Sequence, residues 1–179
     1  MRIISGSLKG RTFRVPPKFP SRPTTDFAKE GLFNILSNSC DFEGMTVLDL
    51  CAGTGNLSFE FLSRGASNVT AVDGNPKVCA WLQKNALALK LDGQLSIVHS
   101  DCLLFLKRTA LSFDLVIADP PFELAIHSTM VDIIFQQKVL NPKGLLIVEH
   151  GKRTALQNAT NFDKTRNFGN VNFSFFKWP

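Results

Sequence analysis

"TVLDLCAGTGNLSFEFLSRGASNVTAVD", residues 46–73, is the stretch on which the fold turns. Residues 46–50 are an apolar run of strand length, Gly53 and Gly55 make a turn, residues 56–65 read as a helix, and residues 68–73 are a second apolar run. A strand followed by a helix and then by another strand is a βαβ unit whose strands lie parallel. The rhythm continues outward. "QLSIVH" (94–99), "FDLVIA" (113–118) and "GLLIVE" (144–149) are further strand candidates, and residues 75–91, 101–110 and 123–137 read as helices between them. Asn75 is placed to cap its helix, with Pro76 at the first helical position. Upstream, "TTDFAKEGLFNILSN" spaces its apolar residues for a helix starting near Asp26. Downstream, residues 162–178 hold two β-type runs around Gly169-Asn170, a hairpin that returns one strand antiparallel to the sheet edge. The class is α/β, a doubly wound and mostly parallel sheet covered on both faces.

A chain of 179 residues, 44% hydrophobic, can build one ordinary domain with a small appendage. No apolar run approaches the roughly 20 residues that span a bilayer, and the N-terminus lacks the apolar stretch of a signal peptide. A cytoplasmic protein without membrane contact is expected. Cys40, Cys51, Cys79 and Cys102 are widely spaced, with no C-x-x-C, so they read as free thiols and no metal is expected. His99, His127 and His150 stand alone and receive no role.

The formal charge of +5 is unevenly spread: all of the excess lies in residues 1–40, and the first 22 residues contain no acid. Such polarity suits a polyanion-binding arm. "RIISG" and "RTFRV" alternate apolar and polar residues, and Gly6 and Gly10 stand where a hairpin would turn. Residues 1–22 are therefore expected to form a basic β-hairpin arm, with the main domain at 23–179 and the proline-rich "PPKFPSRP" as a stiff connector. Arg2, Lys9, Arg11, Arg14, Lys18 and Arg22 are its candidate contacts to a polyanion such as a nucleic acid.

Ligands of doubly wound sheets bind beyond the carboxyl ends of the strands, so the residues there carry the chemistry. Gly53 and Gly55 let a ligand approach the backbone, but Ser58 stands where a dinucleotide fingerprint has its third glycine. Asp49, inside the first strand, would repel a pyrophosphate and attract a cation. S-adenosylmethionine carries an ammonium and a sulfonium and no phosphate. Asp73 ends the next strand and can accept hydrogen bonds from ribose hydroxyls. Asp101 follows the third strand and either accepts from an adenine amine or caps the next helix; both roles stay open. Asp119-Pro120-Pro121-Phe122 follows the fourth. An exocyclic amine must pyramidalise before it attacks a methyl group, and acceptors aimed at its protons favour that geometry. The Asp119 carboxylate and the Pro120 carbonyl supply them, the prolines hold the loop rigid, and Phe122 can stack on an unstacked base.

"DLCAGTGN", "VDGNP" and "ADPPF", in this order, resemble the class I S-adenosylmethionine-dependent methyltransferases that act on exocyclic amines. "RPTTDFAKEGLFNIL" after the basic "RIISGSLKGRTFRVP" is similar to the bacterial ribosomal small-subunit guanine-N2 methyltransferase D family (RsmD), and the likeness runs from Arg2 to "FFKW". The resemblance implies a Rossmann-like fold, S-adenosylmethionine as cofactor, 16S ribosomal RNA or an assembling small subunit as partner, and a monomer. It implies that Asp49, Ala52, Gly53, Thr54 and Gly55 line the cofactor turn, that Asp73 and Gly74 flank the ribose, and that Asp101, Thr24 and Thr25 lie close by. Asp119, Pro120, Pro121 and Phe122 would hold the target guanine. Cys51 departs from the "D-L-F-A-G" pattern, and "FAKEGLF" replaces a more basic "R-V-R-E-x-L-F", which removes charge from a surface facing RNA. The rival readings are a DNA adenine-N6 or cytosine-N4 methyltransferase, an NAD-dependent oxidoreductase, and an RNA-binding protein without turnover.

Overall fold

The computed structural model describes residues 1–21, 23–121 and 124–178. In chain order the elements are α1 (Asp26–Ser37), β1 (Thr46–Leu50), α2 (Asn56–Ser63), β2 (Asn68–Asp73), α3 (Pro76–Leu89), β3 (Leu95–His99), α4 (Cys102–Arg108), β4 (Phe113–Ala118), α5 (His127–Gln136), β5 (Leu140–Gly151), β6 (Phe162–Phe168) and β7 (Val171–Lys177). The strands form one sheet in the order β3-β2-β1-β4-β5-β7-β6. The first five are parallel, and β7 runs antiparallel between β5 and β6. The C-terminal hairpin turns at Gly169-Asn170, where Gly169 takes a φ of 66°. Helix α5 starts later than the apolar pattern suggests, at His127, and β5 is longer than its apolar run on both sides.

Side chains alternate across the strands, so each strand feeds two cores. Val47, Val69, Leu115 and Ile147 face the layer of α1, α2 and α3, while Leu48, Leu50, Val116 and Val148 face α4 and α5. By the same alternation Asp49 points toward α2. The strand order reverses between β1 and β4, which opens a crevice at their carboxyl ends. Leu50 pairs with Ala118, and Ala118 with Val148. The next residues, Cys51, Asp119 and Glu149, therefore lie side by side.

The expected N-terminal β-hairpin arm is not confirmed. Arg2 and Thr12 make a single antiparallel bridge, flanked by backbone bonds such as Ile3 N to Arg11 O at 2.9 Å, and among the described residues of 1–22 no strand forms. The segment cannot extend its own ladder because its backbone is committed to α2. Ile4 N and Ser5 N donate to the Glu60 carboxylate at 2.8 and 3.0 Å, Ser7 N donates to Ser63 O at 2.7 Å, and Phe13 stacks on Phe59 at 5.2 Å. At Gly6 (φ 81°) a Cβ would fall 1.7 Å from Ser63 O, so only glycine permits this approach. Beneath the segment, Lys29 Nζ lies 3.3 Å from the Glu60 carboxylate with both side chains fully buried. Lys29 also donates to Arg2 O and to Asn56 Oδ1. Burial pulls the Lys29 ammonium below its ordinary value, and the attraction of Glu60 opposes that.

This burial corrects one expectation from "FAKEGLF". Position 29 lies inside the molecule and not on a surface that could meet RNA, so only Phe27, 67% exposed, replaces a basic residue on the outside.

Candidate active site

A cleft of about 710 Å³ opens at the reversal of strand order. Asp49, Asp73 and Asp119 line it, together with the turn residues Cys51 to Thr54, Pro120, Pro121 and the segment Pro20 to Thr24 as far as it is described. Among the described residues no lysine or arginine lines it. A polyanion would find no partner there, whereas a cationic ligand would meet carboxylates on several sides.

The glycine turn is built differently from what its sequence suggests. Gly53 (φ 53°) faces the cleft, and a Cβ on it would press on Ser21 Oγ at 2.9 Å. Gly55 (φ 75°) caps α2, and a Cβ there would collide with Leu82 and Phe59 at 2.5 and 2.8 Å. Gly55 thus admits α3 and the α2 ring to the turn; it does not line the cleft. Thr54 Oγ1 and Ser21 Oγ are buried beside the cleft without a hydrogen-bond partner among the described residues, as groups awaiting a ligand would be.

Asp73 is pre-oriented. Its Oδ2 accepts from Gly53 N at 3.0 Å and its Oδ1 from Asn75 N at 2.8 Å, and each oxygen keeps lone pairs for further donors. Asp49 is 2% exposed and accepts from Ser58 Oγ. Ser58, the residue in place of the third glycine, is therefore the support of the acid. Burial pushes the Asp49 carboxyl up to about 7; the Ser58 bond opposes this, and the charges of Asp119 and Asp73 add to it. Asp119 is half-buried at the mouth of β4, its N–H bonded to Leu50 O at 3.1 Å, and desolvation pushes its carboxyl up to about 7 as well.

Besides Gly55, three more cofactor candidates lie outside the cleft lining. Asp101 Oδ1 accepts from Leu104 N at 2.9 Å and so caps α4. Thr25 Oγ1 caps α1 through Ala28 N at 3.2 Å. Gly74 is exposed, and its carbonyl meets His99 Nε2 at 3.1 Å. Phe122 and Arg22 are outside the described residues. Lys9, Arg11, Arg14 and Lys18 are exposed, whereas Arg2 is drawn to the first turn of α1 by Asp26 and Glu30, at 3.6 and 3.4 Å.

The family model described as Conserved hypothetical protein 95 matches residues 1–177. The chain belongs to this family. The ribosomal RNA small subunit methyltransferase D of Haemophilus influenzae is 33% identical over 99% of this chain and 93% of its own length. A solved chain from Escherichia coli superposes with a TM-score of 0.85 at 30% identity, covering 99% of this chain and 97% of that one. The fold alone is shared with a T. thermophilus 16S rRNA N2 methyltransferase solved with AdoMet and guanosine, with a TM-score of 0.71 at 21% identity, over 90% of this chain and 45% of that one. The family is that of the S-adenosylmethionine-dependent methyltransferases of the RsmD type, as the motifs had suggested.

Two residues of this family member, Glu149 and Asn56, went unnoticed in its sequence. Glu149 is 4% exposed and adjoins Asp119 across the β4–β5 register. Its carboxyl is pushed up to about 9, first by burial and then by the Asp119 charge; Thr24 Oγ1 donates to it at 3.2 Å. Asn56 continues the chain of contacts, with Nδ2 donating to Thr24 O at 2.7 Å and Oδ1 accepting from Lys29 at 2.8 Å. A line of buried Lys29 and Asn56, half-buried Thr24 and buried Glu149 thus ties the segment over the cleft to the strand beside Asp119. Glu149 has a sequence signal, since it too stands at the carboxyl end of a strand. Asn56 and Thr24 are joined by tertiary geometry, which no spacing in the chain announces.

Proposed function

We propose that this protein transfers the methyl group of S-adenosylmethionine to the exocyclic N2 amine of a guanine in small-subunit ribosomal RNA. The observation that carries the reading is a cleft lined by Asp49, Asp73 and Asp119, with no cation among its described residues, opening at the turn that bears the Asp119-Pro120 pair of acceptors. Its membership of the RsmD family supports the polymer.

S-adenosylmethionine supplies, when bound, a methyl group activated by a sulfonium charge. Around it this chain's residues bind and orient. Asp73 is free to accept ribose hydroxyls on lone pairs that Gly53 N and Asn75 N leave open. Asp49 would face the cationic part of the cofactor, and Thr54 and Ser21 would offer hydroxyls that have no partner among the described residues. Asp119 accepts a proton of the guanine amine in a hydrogen bond, and the Pro120 carbonyl takes the second. With both protons held, the nitrogen lone pair leaves the ring conjugation and points at the methyl carbon. The amine becomes acidic only as that lone pair is used, so its proton passes late, to the Asp119 carboxylate that already holds it in a hydrogen bond. Phe122 stacks on the base, and Lys9, Arg11, Arg14, Lys18 and Arg22 contact phosphates. The enzyme works as a cytoplasmic monomer on RNA or on an assembling subunit.

Charge regulation gives a pH prediction. Asp49 and Asp119 have folded values near 7, above the unfolded value of about 3.9. The folded state therefore holds protons that the unfolded state has lost, and the free protein loses stability as pH rises through 7. A bound cation favours the ionised acids and reverses this. S-adenosylmethionine should bind more tightly at about pH 8 than at about pH 6 by isothermal calorimetry, and S-adenosylhomocysteine, which lacks the sulfonium charge, should gain less. Equal pH dependence for the two ligands would show that Asp49 does not face the charge.

Methyl transfer from labelled S-adenosylmethionine to small ribosomal subunits, naked 16S RNA and double-stranded DNA tests the choice of polymer. Label in either ribosomal substrate and none in DNA is expected; label in DNA alone would overturn the reading.

A further inference from the structure

Beside the cofactor cleft lies a second groove of about 430 Å³, between the proline connector and the outer face of α3. Lys18, Phe19 and Pro20 form one wall, and Lys77, Trp81 and Lys84 the other. We propose that this groove binds a single-stranded stretch of the substrate RNA next to the target nucleotide, with a base against Trp81 and phosphates on Lys18, Lys77 and Lys84. The proposal rests on the RNA reading above and adds a surface on α3 to it.

Four observations carry it. First, the charge is complementary: three lysines border the groove, no acid lines it, and none of the three is ion-paired among the described residues. Second, the aromatic surface is half-exposed and fixed. Phe19 meets Trp81 at 5.3 Å with a tilt of 57°, and Trp81 Nε1 donates to Thr54 O at 3.1 Å, so the indole is held in place while part of it stays open. A rigid aromatic ring flanked by cations is what sequence-tolerant binding of single strands uses. Third, the groove and the cofactor cleft share Pro20, and the Trp81 hydrogen bond ends on the cofactor turn. A strand in the groove would therefore run directly to the methyl-transfer cleft. Fourth, Lys18 holds a φ of 62°, a left-handed conformation uncommon for a residue with a side chain, and it turns the connector so that Phe19 reaches Trp81. Lys77 and Lys84 are seven residues apart on α3, hence on one helix face and about 10 Å apart along its axis, so they reach different phosphates.

Both α3 lysines are exposed, so Lys77→Gln/Lys84→Gln should fold normally. Affinity of the full protein for naked 16S RNA is measured across a salt series, with Lys107→Gln/Lys138→Gln as a control that makes the same charge change on the α4 and α5 side. The α3 double variant should flatten the dependence of log affinity on log salt by about 0.7 per lost phosphate contact. It should also raise the KM for RNA while leaving kcat and S-adenosylmethionine affinity unchanged, and the control should behave as the parent. A parent-like slope and KM in the α3 variant, with the parent methylating RNA, would overturn the groove and leave the function standing. If the parent neither binds nor methylates RNA, both fall. Weaker binding to assembled subunits with unchanged binding to naked RNA would assign the groove to a ribosomal protein and also overturn the proposal. Trp81 gives an independent reading, because Trp178 is the only other tryptophan. In a Trp178→Phe background saturated with S-adenosylmethionine, single-stranded oligouridylate should quench the remaining fluorescence. Binding without quenching would contradict the stacked base.

Discussion

Asp119→Ala is expected to lower kcat by about 10²–10³-fold, the loss typical of removing one preorganised group from a reacting centre. Affinity for S-adenosylmethionine should stay within a few-fold, because the ligand's other contacts are untouched. Asp119 stands at the end of β4 with desolvation lifting its carboxyl to about 7. The ionised form is the one that accepts the amine proton, so kcat in the parent should climb with pH to a plateau above the apparent value of Asp119. Cofactor binding moves that limb to lower pH, since a cation in the cleft favours ionisation. Single-turnover rates across pH measure both effects. An Asp119→Ala enzyme with parental turnover would remove the carboxylate from the chemistry.

The largest stability effect is expected at Glu60. Its carboxylate accepts from Ile4 N and Ser5 N and pairs with Lys29 and Arg64, at 3.3 and 2.8 Å. Glu60→Ala leaves a buried ammonium without its counter-charge and two backbone N–H groups without acceptors. Breaking a buried pair from one side costs about 3–5 kcal/mol. Lys29→Met should cost less, because Arg64 and the two N–H groups still satisfy Glu60. Urea denaturation of the three proteins gives the order. A Glu60→Ala loss within the roughly 0.5 kcal/mol of an ordinary surface change would mean that the N-terminal segment is not anchored there.

The elements from Thr46 to Ala118 could be drawn from the chain because each is a local pattern: an apolar run, a cap, a glycine turn. The cleft acids followed from the strands, since a doubly wound sheet puts strand ends together whatever the loops do. What could not be drawn depends on contacts distant in sequence. Residues 1–14 alternate like a hairpin, yet Ile4, Ser5, Ser7 and Leu8 donate to Glu60 and Ser63 on α2, more than fifty positions away. Lys29 counted as surface charge, although its spacing with Leu32, Phe33 and Leu36 puts it on the buried face of α1. That spacing was a usable signal. Gly55 matched a ligand-binding fingerprint but serves packing against Leu82 and Phe59, a distinction only three-dimensional neighbours can make.

The central claim is a choice of atom: the exocyclic N2 of guanine. Small ribosomal subunits from cells lacking this enzyme, treated with the purified protein and S-adenosylmethionine, can be digested to nucleosides and analysed by mass spectrometry. N2-methylguanosine that appears with the parent and is absent with Asp119→Ala is the expected result. A methyl group on adenine, on cytosine or on a ring nitrogen of guanine would contradict the geometry assigned to Asp119 and Pro120.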